Sequence, residues 1–148
     1  MKKSILVALL LSSWIVKAQI YDPVKWSTTV EKISSTEYEL IAMASIDGDW
    51  HLYSQAVPND GPIPTTFSFE GNDNYLKKGN TKEENGQIIN DPIFNMEIKY
   101  FVTKVSFKQR IRLKNTKAFH VNAVVEYMVC NDTKCLPPKE VELVFEIN

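Results

Sequence analysis

The segment FVTKVSFKQRIRLK, Phe101 to Lys114, alternates with a period of two. Phe101, Val105, Phe107, Ile111 and Leu113 share one parity; Lys104, Ser106, Lys108, Arg110, Arg112 and Lys114 share the other. Successive strand residues point to opposite faces, so this pattern predicts a long strand with one apolar face and one basic, solvated face. The simplest reading of the lysines and arginines is a wet sheet surface, which also discourages edge-to-edge association.

The same period recurs on either side. Tyr38, Leu40, Ala42, Ala44 and Ile46 alternate, Asp47-Gly48-Asp49 supplies a turn, and Trp50-His51-Leu52-Tyr53 follows, which together read as a hairpin. Phe67 and Phe69 mark a short strand after the proline-rich stretch Val57 to Pro64, and Phe119 to Val129 forms another run. In Glu140 to Ile147, Val141, Leu143, Phe145 and Ile147 oppose Glu140, Glu142 and Glu146. Asn72 to Asn90 is polar and reads as an excursion or an irregular hairpin. No long window outside the N-terminus keeps a helical repeat. The pattern predicts an all-β chain, an immunoglobulin-like β-sandwich of about seven to nine strands.

At 148 residues the chain suits one domain able to bury a core without disulfides or metals. Lys and Arg number 17 against 18 Asp and Glu, a formal net charge of -1, which argues against a nucleic-acid binder. Lys2 and Lys3 precede an apolar run, Ile5 to Val16, and Val16-Lys17-Ala18 has the form of a secretory cleavage site. The run is too short for a membrane span, so residues 1–18 are expected to be a signal peptide and 19–148 a single domain. Cleavage would remove three lysines and no acid, leaving a chain with net charge of about -4 and no further membrane span. The expected location is the periplasm, or export more generally, where two cysteines tend to pair.

Those cysteines lie in Val129-Cys130-Asn131-Asp132-Thr133-Lys134-Cys135-Leu136-Pro137-Pro138, between two strand runs. A four-residue loop can bring their Cα atoms to disulfide distance. The spacing is not C-x-x-C, so the helix-terminus activation of thioredoxin-like sites does not apply. Two readings stand. A structural staple closing so short a loop would contribute roughly 2 kcal/mol in the chain-entropy model. A redox pair would cycle between dithiol and disulfide, with Lys134 and Lys139 favouring a thiolate and Asp132 opposing it. His51 and His120 have no metal-ligand spacing and read as half-exposed strand residues, so neither a metal nor another cofactor is expected.

The segment VCNDTKCLPPKEVELVFEIN, Val129 to Asn148, resembles the C-terminal strand pair of the N-terminal periplasmic domain of the thiol:disulfide interchange protein DsbD, the disulfide-bond corrector family. DGDWHLYSQ, Asp47 to Gln55, is similar to the family's turn and aromatic strand near the cysteines; DPIFN, Asp91 to Asn95, resembles its cap loop. The likeness runs over residues 24–148. It departs from the best-known members in a cysteine loop one residue shorter and in Pro92, where their cap loop carries an acid.

The resemblance implies an immunoglobulin-like fold and protein-disulfide reductase activity. Cys130 and Cys135 become the redox pair, with Cys135 attacking a partner disulfide and Cys130 resolving it. Phe94 becomes the cap residue, and Tyr53 and Trp50 pocket walls. The implied partners are periplasmic thiol-disulfide oxidoreductases and a membrane or thioredoxin-like electron donor, expected to be a separate protein because the chain ends at Asn148. A monomer is expected. The rival expectation is a non-enzymatic binding or adhesion module with a structural disulfide.

Overall fold

A computed structural model of the chain describes residues 21–148; the expected signal peptide lies outside them. Eleven strands run β1 (Val24–Lys32), β2 (Glu37–Ile46), β3 (His51–Tyr53), β4 (Thr66–Phe69), β5 (Tyr75–Glu83), β6 (Gln87–Asp91), β7 (Met96–Phe101), β8 (Lys104–Leu113), β9 (Phe119–Tyr127), β10 (Val129–Cys130) and β11 (Lys139–Ile147). They form three antiparallel sheets ordered β1-β2-β8-β5, β11-β9-β4 and β10-β3-β7-β6.

The first two sheets face one another. Leu40, Ala42 and Ala44 of β2 and Val105, Phe107 and Ile111 of β8 meet Val121, Ala123 and Val125 of β9 and Leu143, Phe145 and Ile147 of β11 in one apolar cluster. The alternation read from β2, β8 and β11 is this inward face, and burying apolar area at roughly 25 cal/mol per Å² makes it the main stabilising term. Trp26 of β1 closes the rim against Phe67, Phe107 and Tyr127, at ring distances of 5.9, 5.8 and 5.5 Å. The fold is an all-β, immunoglobulin-like sandwich. Among the described residues no helix is long and apolar enough to cross a membrane.

Eleven strands stand where seven to nine are expected: β1 is not among the runs read from the sequence, and two apparent runs change sheets midway. Phe101 to Lys114 divides at Val102-Thr103: Thr103 has φ 63°, and the chain turns a corner from β7 into β8. The run through Val129 divides at Met128, where β9 ends and β10 joins β3. Asp47-Gly48-Asp49 is a turn, closed by the Trp50 amide donating to the Asp47 carbonyl at 3.1 Å, but it is not a hairpin. It carries the chain from β2, paired with β1 and β8, to β3, paired with β7 and β10. Asn72 to Asn90 likewise holds two strands in different sheets, β5 on β8 and β6 on β7.

Two polar features shape the first sheet. Gln109 lies on the inward parity of β8 and is buried, its Nε2 donating to the carbonyls of Lys78, Gly79 and Arg110 at 3.2, 3.3 and 2.9 Å. It thereby holds the irregularity of β5, where Gly79 takes φ 67° and the register shifts between Lys78 and Lys82. The basic face of β8 is only partly solvated. Arg112 lies 2.9 Å and Lys78 2.6 Å from Glu37, and Arg110 lies 3.4 Å from Glu39, so cross-strand acids neutralise much of it.

Candidate functional site

The third sheet carries the cysteines. Val129 and Cys130 pair with Leu52 and His51 of β3, so the hairpin bearing the sulfurs grows out of a buried strand pair. Asn131 shapes its tip. Its Oδ1 accepts from the Thr133 amide, the Thr133 hydroxyl and the Lys134 amide at 3.0, 3.0 and 2.9 Å, and its own amide donates to the Lys134 carbonyl. This side-chain turn lets four residues reverse the chain. Cys130 and Cys135 then face one another as a β-bridge with Cα atoms 4.0 Å apart, joined by a disulfide. The Leu136 amide donates to the Val129 carbonyl, and Leu136 packs on the main core, which anchors the second arm.

The two sulfurs have different surroundings. Cys130 is wholly enclosed in a small cluster with Tyr53 and Ile98, whereas Cys135 is half-buried. Phe94, Met96 and Tyr100 pack against the same cluster, and the Phe94 and Tyr53 rings meet edge-on at 6.0 Å. Phe94 and Tyr53, expected from the sequence as cap and pocket wall, lie in or against the cluster that holds Cys130. Trp50 is placed differently: it belongs to the main core, and the Lys134 Nζ of the hairpin lies 5.8 Å from its ring and 4.0 Å from that of Tyr21. One position along a strand reverses the face, which puts Trp50 and Tyr53 on opposite sides of β3. The two lysines considered as thiolate stabilisers are otherwise engaged, Lys134 over these rings and Lys139 on Asp22 at 2.6 Å.

Phe94 sits in the four-residue turn between β6 and β7, built on Asp91. The Asp91 Oδ1 accepts from the Ile93 and Phe94 amides at 2.9 and 3.1 Å, and its carbonyl accepts from the Asn95 amide at 2.8 Å. Asn95 takes φ 53°, a left-handed conformation that asparagine tolerates. Pro92 therefore fits as the first residue of a turn whose amides all come from later positions.

Asp91 also reaches inward. Its Oδ2 accepts the Tyr53 hydroxyl at 2.7 Å, and the Tyr53 oxygen lies 3.2 Å from His51 Nε2. His51 stacks on Tyr100 at 4.5 Å between ring centres. All three members of this chain are buried, at 1, 0 and 6% exposure for Asp91, Tyr53 and His51. His51 is thus not the half-exposed strand residue its sequence context suggests, while His120 is exposed.

Each shift in acidity has a cause. Burial lowers the His51 pKa more than Asp91 and Asp132 raise it, so the imidazole is neutral at neutral pH. Burial alone would raise the Asp91 pKa, but the hydrogen bonds from Tyr53, Phe94 and Ile93 outweigh it and hold the carboxyl below its usual range. Tyr53 is raised by burial first and by Asp91 second, and stays a phenol.

Sequence reasoning named Cys130, Cys135, Phe94 and Tyr53 but missed Asp91 as the hub and His51 and Tyr100 as neighbours. Period-two strands hide such partners, since His51 and Asp91 are 40 positions apart and only the pairing of β3 with β7 and β6 with β7 joins them. Among the described residues no group of three or more His, Cys, Asp or Glu could hold a metal ion.

A family model described as thiol:disulfide interchange protein DsbD, N-terminal, matches residues 22–146. Among solved structures, the reduced N-terminal domain of DsbD from Neisseria meningitidis aligns with a TM-score of 0.53 at 14% identity, over 83% of this chain and 86% of that one. The N-terminal periplasmic domain of ScsB from Proteus mirabilis aligns with a TM-score of 0.56 at 11% identity, over 82% of this chain and 44% of that one. At these identities the likeness is one of fold. Comparison with curated proteins finds no match.

Proposed function

The chain belongs to the family of the DsbD N-terminal domain, a domain of a thiol:disulfide interchange protein, and from that premise we propose that it relays electrons by reversible exchange at Cys130–Cys135. The single observation that carries the reading is the placement of the pair. A disulfide sits at a hairpin tip, one sulfur enclosed and the other half-buried, in a small cluster of its own against which Phe94 packs. A staple has no need of such a setting, because the main core lies elsewhere.

In the proposed reaction, Cys135 is the attacking sulfur because it is the more accessible, and Cys130 resolves the mixed disulfide. Cys135 thiolate attacks a partner disulfide and expels a partner thiolate; Cys130 then attacks Cys135 and expels the second. Two electrons and two protons leave the dithiol for the partner. Phe94 shields the pair from small oxidants and swings aside as a partner docks, a gating step rather than a chemical one. The partners are thiol-disulfide oxidoreductases of the periplasm, with a membrane or thioredoxin-like electron donor to restore the dithiol.

Mixed-disulfide trapping tests this. A Cys130→Ser variant, lacking the resolving sulfur, is expected to accumulate a covalent adduct through Cys135 with thioredoxin-fold oxidoreductases of a periplasmic extract, and Cys135→Ser is not. A couple with a reduction potential between roughly -180 and -270 mV accords with exchange, and one well below about -300 mV refutes it in favour of a stapled binding module.

A further inference from the structure

We propose that His51 is the base that takes the proton of the enclosed Cys130 thiol as that sulfur closes the disulfide, an inference that rests on the exchange reading above. Cys130 is wholly enclosed, so solvent has no direct route to its sulfur and the proton needs an acceptor within the protein. His51 is its direct partner across the β10–β3 pair. Directly opposed antiparallel residues project from the same face with Cβ atoms about 4.5–5.5 Å apart.

The hydrogen-bond chain fixes which imidazole nitrogen is basic. Tyr53 has one hydroxyl hydrogen, and the Asp91 carboxylate, an acceptor only, takes it at 2.7 Å. The Tyr53 oxygen, 3.2 Å from His51 Nε2, is therefore the acceptor of an Nε2–H. The neutral ring then carries its lone pair on Nδ1. Asp91 Oδ2 lies 3.7 Å from Nε2, placed to stabilise the imidazolium once it forms.

Other groups are poorer bases for this proton. Both Asp91 oxygens are engaged, by Tyr53 and by two amides, and the same bonds hold its pKa down. Tyr53 is a phenol already donating. The titratable groups facing His51 are Tyr53 on its own strand, Asp91 from β6, Tyr100 from β7, Cys130 from β10 and Asp132 from the hairpin loop. The two acids favour the imidazolium, while burial keeps the resting ring neutral.

The step balances. The Cys130 S–H bond breaks and its proton moves to His51 Nδ1; the sulfur attacks Cys135, the S–S bond forms, and the partner sulfur leaves with the electron pair. His51 then releases the proton to the departing thiolate or to water.

Dithiodipyridine, a small disulfide whose thiopyridone product absorbs, reads both halves by stopped flow. The reduced protein is expected to release one equivalent as Cys135 attacks and a second as Cys130 resolves. The second phase should rise with pH and level off above an imidazole midpoint. His51→Gln keeps a donor for Tyr53 but offers no base. Relative to the first phase, its second phase at pH 7 should slow by about 100-fold, and it should climb with pH without levelling. A second phase within about threefold of the unaltered protein overturns the proposal, as does an unaltered protein whose second phase never levels; that profile needs no variant and serves even if His51→Gln fails to fold. A protein that releases no second equivalent overturns the exchange reading itself, a separate result.

Discussion

Asp91→Ala removes one carboxylate that the turn carrying Phe94 and the buried Tyr53 hydroxyl share, and its cost can be worked from the contacts. Three hydrogen bonds end on the side chain, from Tyr53 at 2.7 Å and from the Ile93 and Phe94 amides at 2.9 and 3.1 Å. Ile93 is exposed and Phe94 half-buried, so their amides can turn to water, at a net loss of about 0.5–1 kcal/mol each. The Tyr53 hydroxyl cannot turn to water and loses its short carboxylate acceptor, keeping only His51 Nε2 at 3.2 Å and only if that ring changes tautomer, which costs about 1–3 kcal/mol. The variant should therefore lose about 3 kcal/mol in urea denaturation of the oxidised protein. Tyr53→Phe leaves the carboxylate short of a donor, but adding it to Asp91→Ala should cost little more, giving a coupling of about 1–2 kcal/mol in a double-mutant cycle. The acid limb supplies a second reading. Because the folded Asp91 pKa is lowered, its contribution is present above the unfolded value of about 3.9 and lost as pH falls through the folded one. Asp91→Asn should flatten the stability curve in that window. A loss under about 1 kcal/mol, with additive double mutants and an unchanged acid limb, would refute the assignment of Asp91 as the hub.

Phe94→Ala should speed reduction of the disulfide by glutathione about tenfold with little change in the couple's potential, as expected if the ring gates access only; thiol titration against time checks it. Glu83 accepts from the Ser54 hydroxyl, the Gln55 amide and Lys99 at 2.5, 2.8 and 2.8 Å, tying the loop after β3 to β5 and β7. Glu83→Ala should cost about 1–3 kcal/mol by leaving the buried Ser54 hydroxyl short of a partner, measurable by thermal unfolding. Phe107→Ala should cost about 3–5 kcal/mol, since the ring is 1% exposed between the facing sheets. Glu37, held at about 2 by hydrogen bonds from Lys78 and Arg112, should titrate closer to an ordinary glutamate in 1 M salt by NMR, because screening weakens an exposed pair.

Local pattern alone determined much of this protein. Period-two alternation reports which residues face a core, because a strand turns its side chains over at every step, and so Leu40, Phe107 and Phe145 were legible as interior. The cysteine hairpin was legible too, since five positions of separation leave little freedom in where the sulfurs meet. Sheet membership was not legible. Val102-Thr103, Met128 and Asp47-Gly48-Asp49 look like interruptions or hairpin turns in one dimension, yet each passes the chain from one sheet to another. Trp50 and Tyr53, three positions apart, were read together and lie on opposite faces of β3. The polar chain was decided by tertiary structure alone. Asp91, Tyr53 and His51 come from strands brought together by β7, and a buried polar group's partners follow from which backbones lie side by side rather than from its neighbours in sequence. Burial then set the acidity of each group, so the chemistry available to Cys130 is a property of the packed sheet and not of the hairpin that carries it.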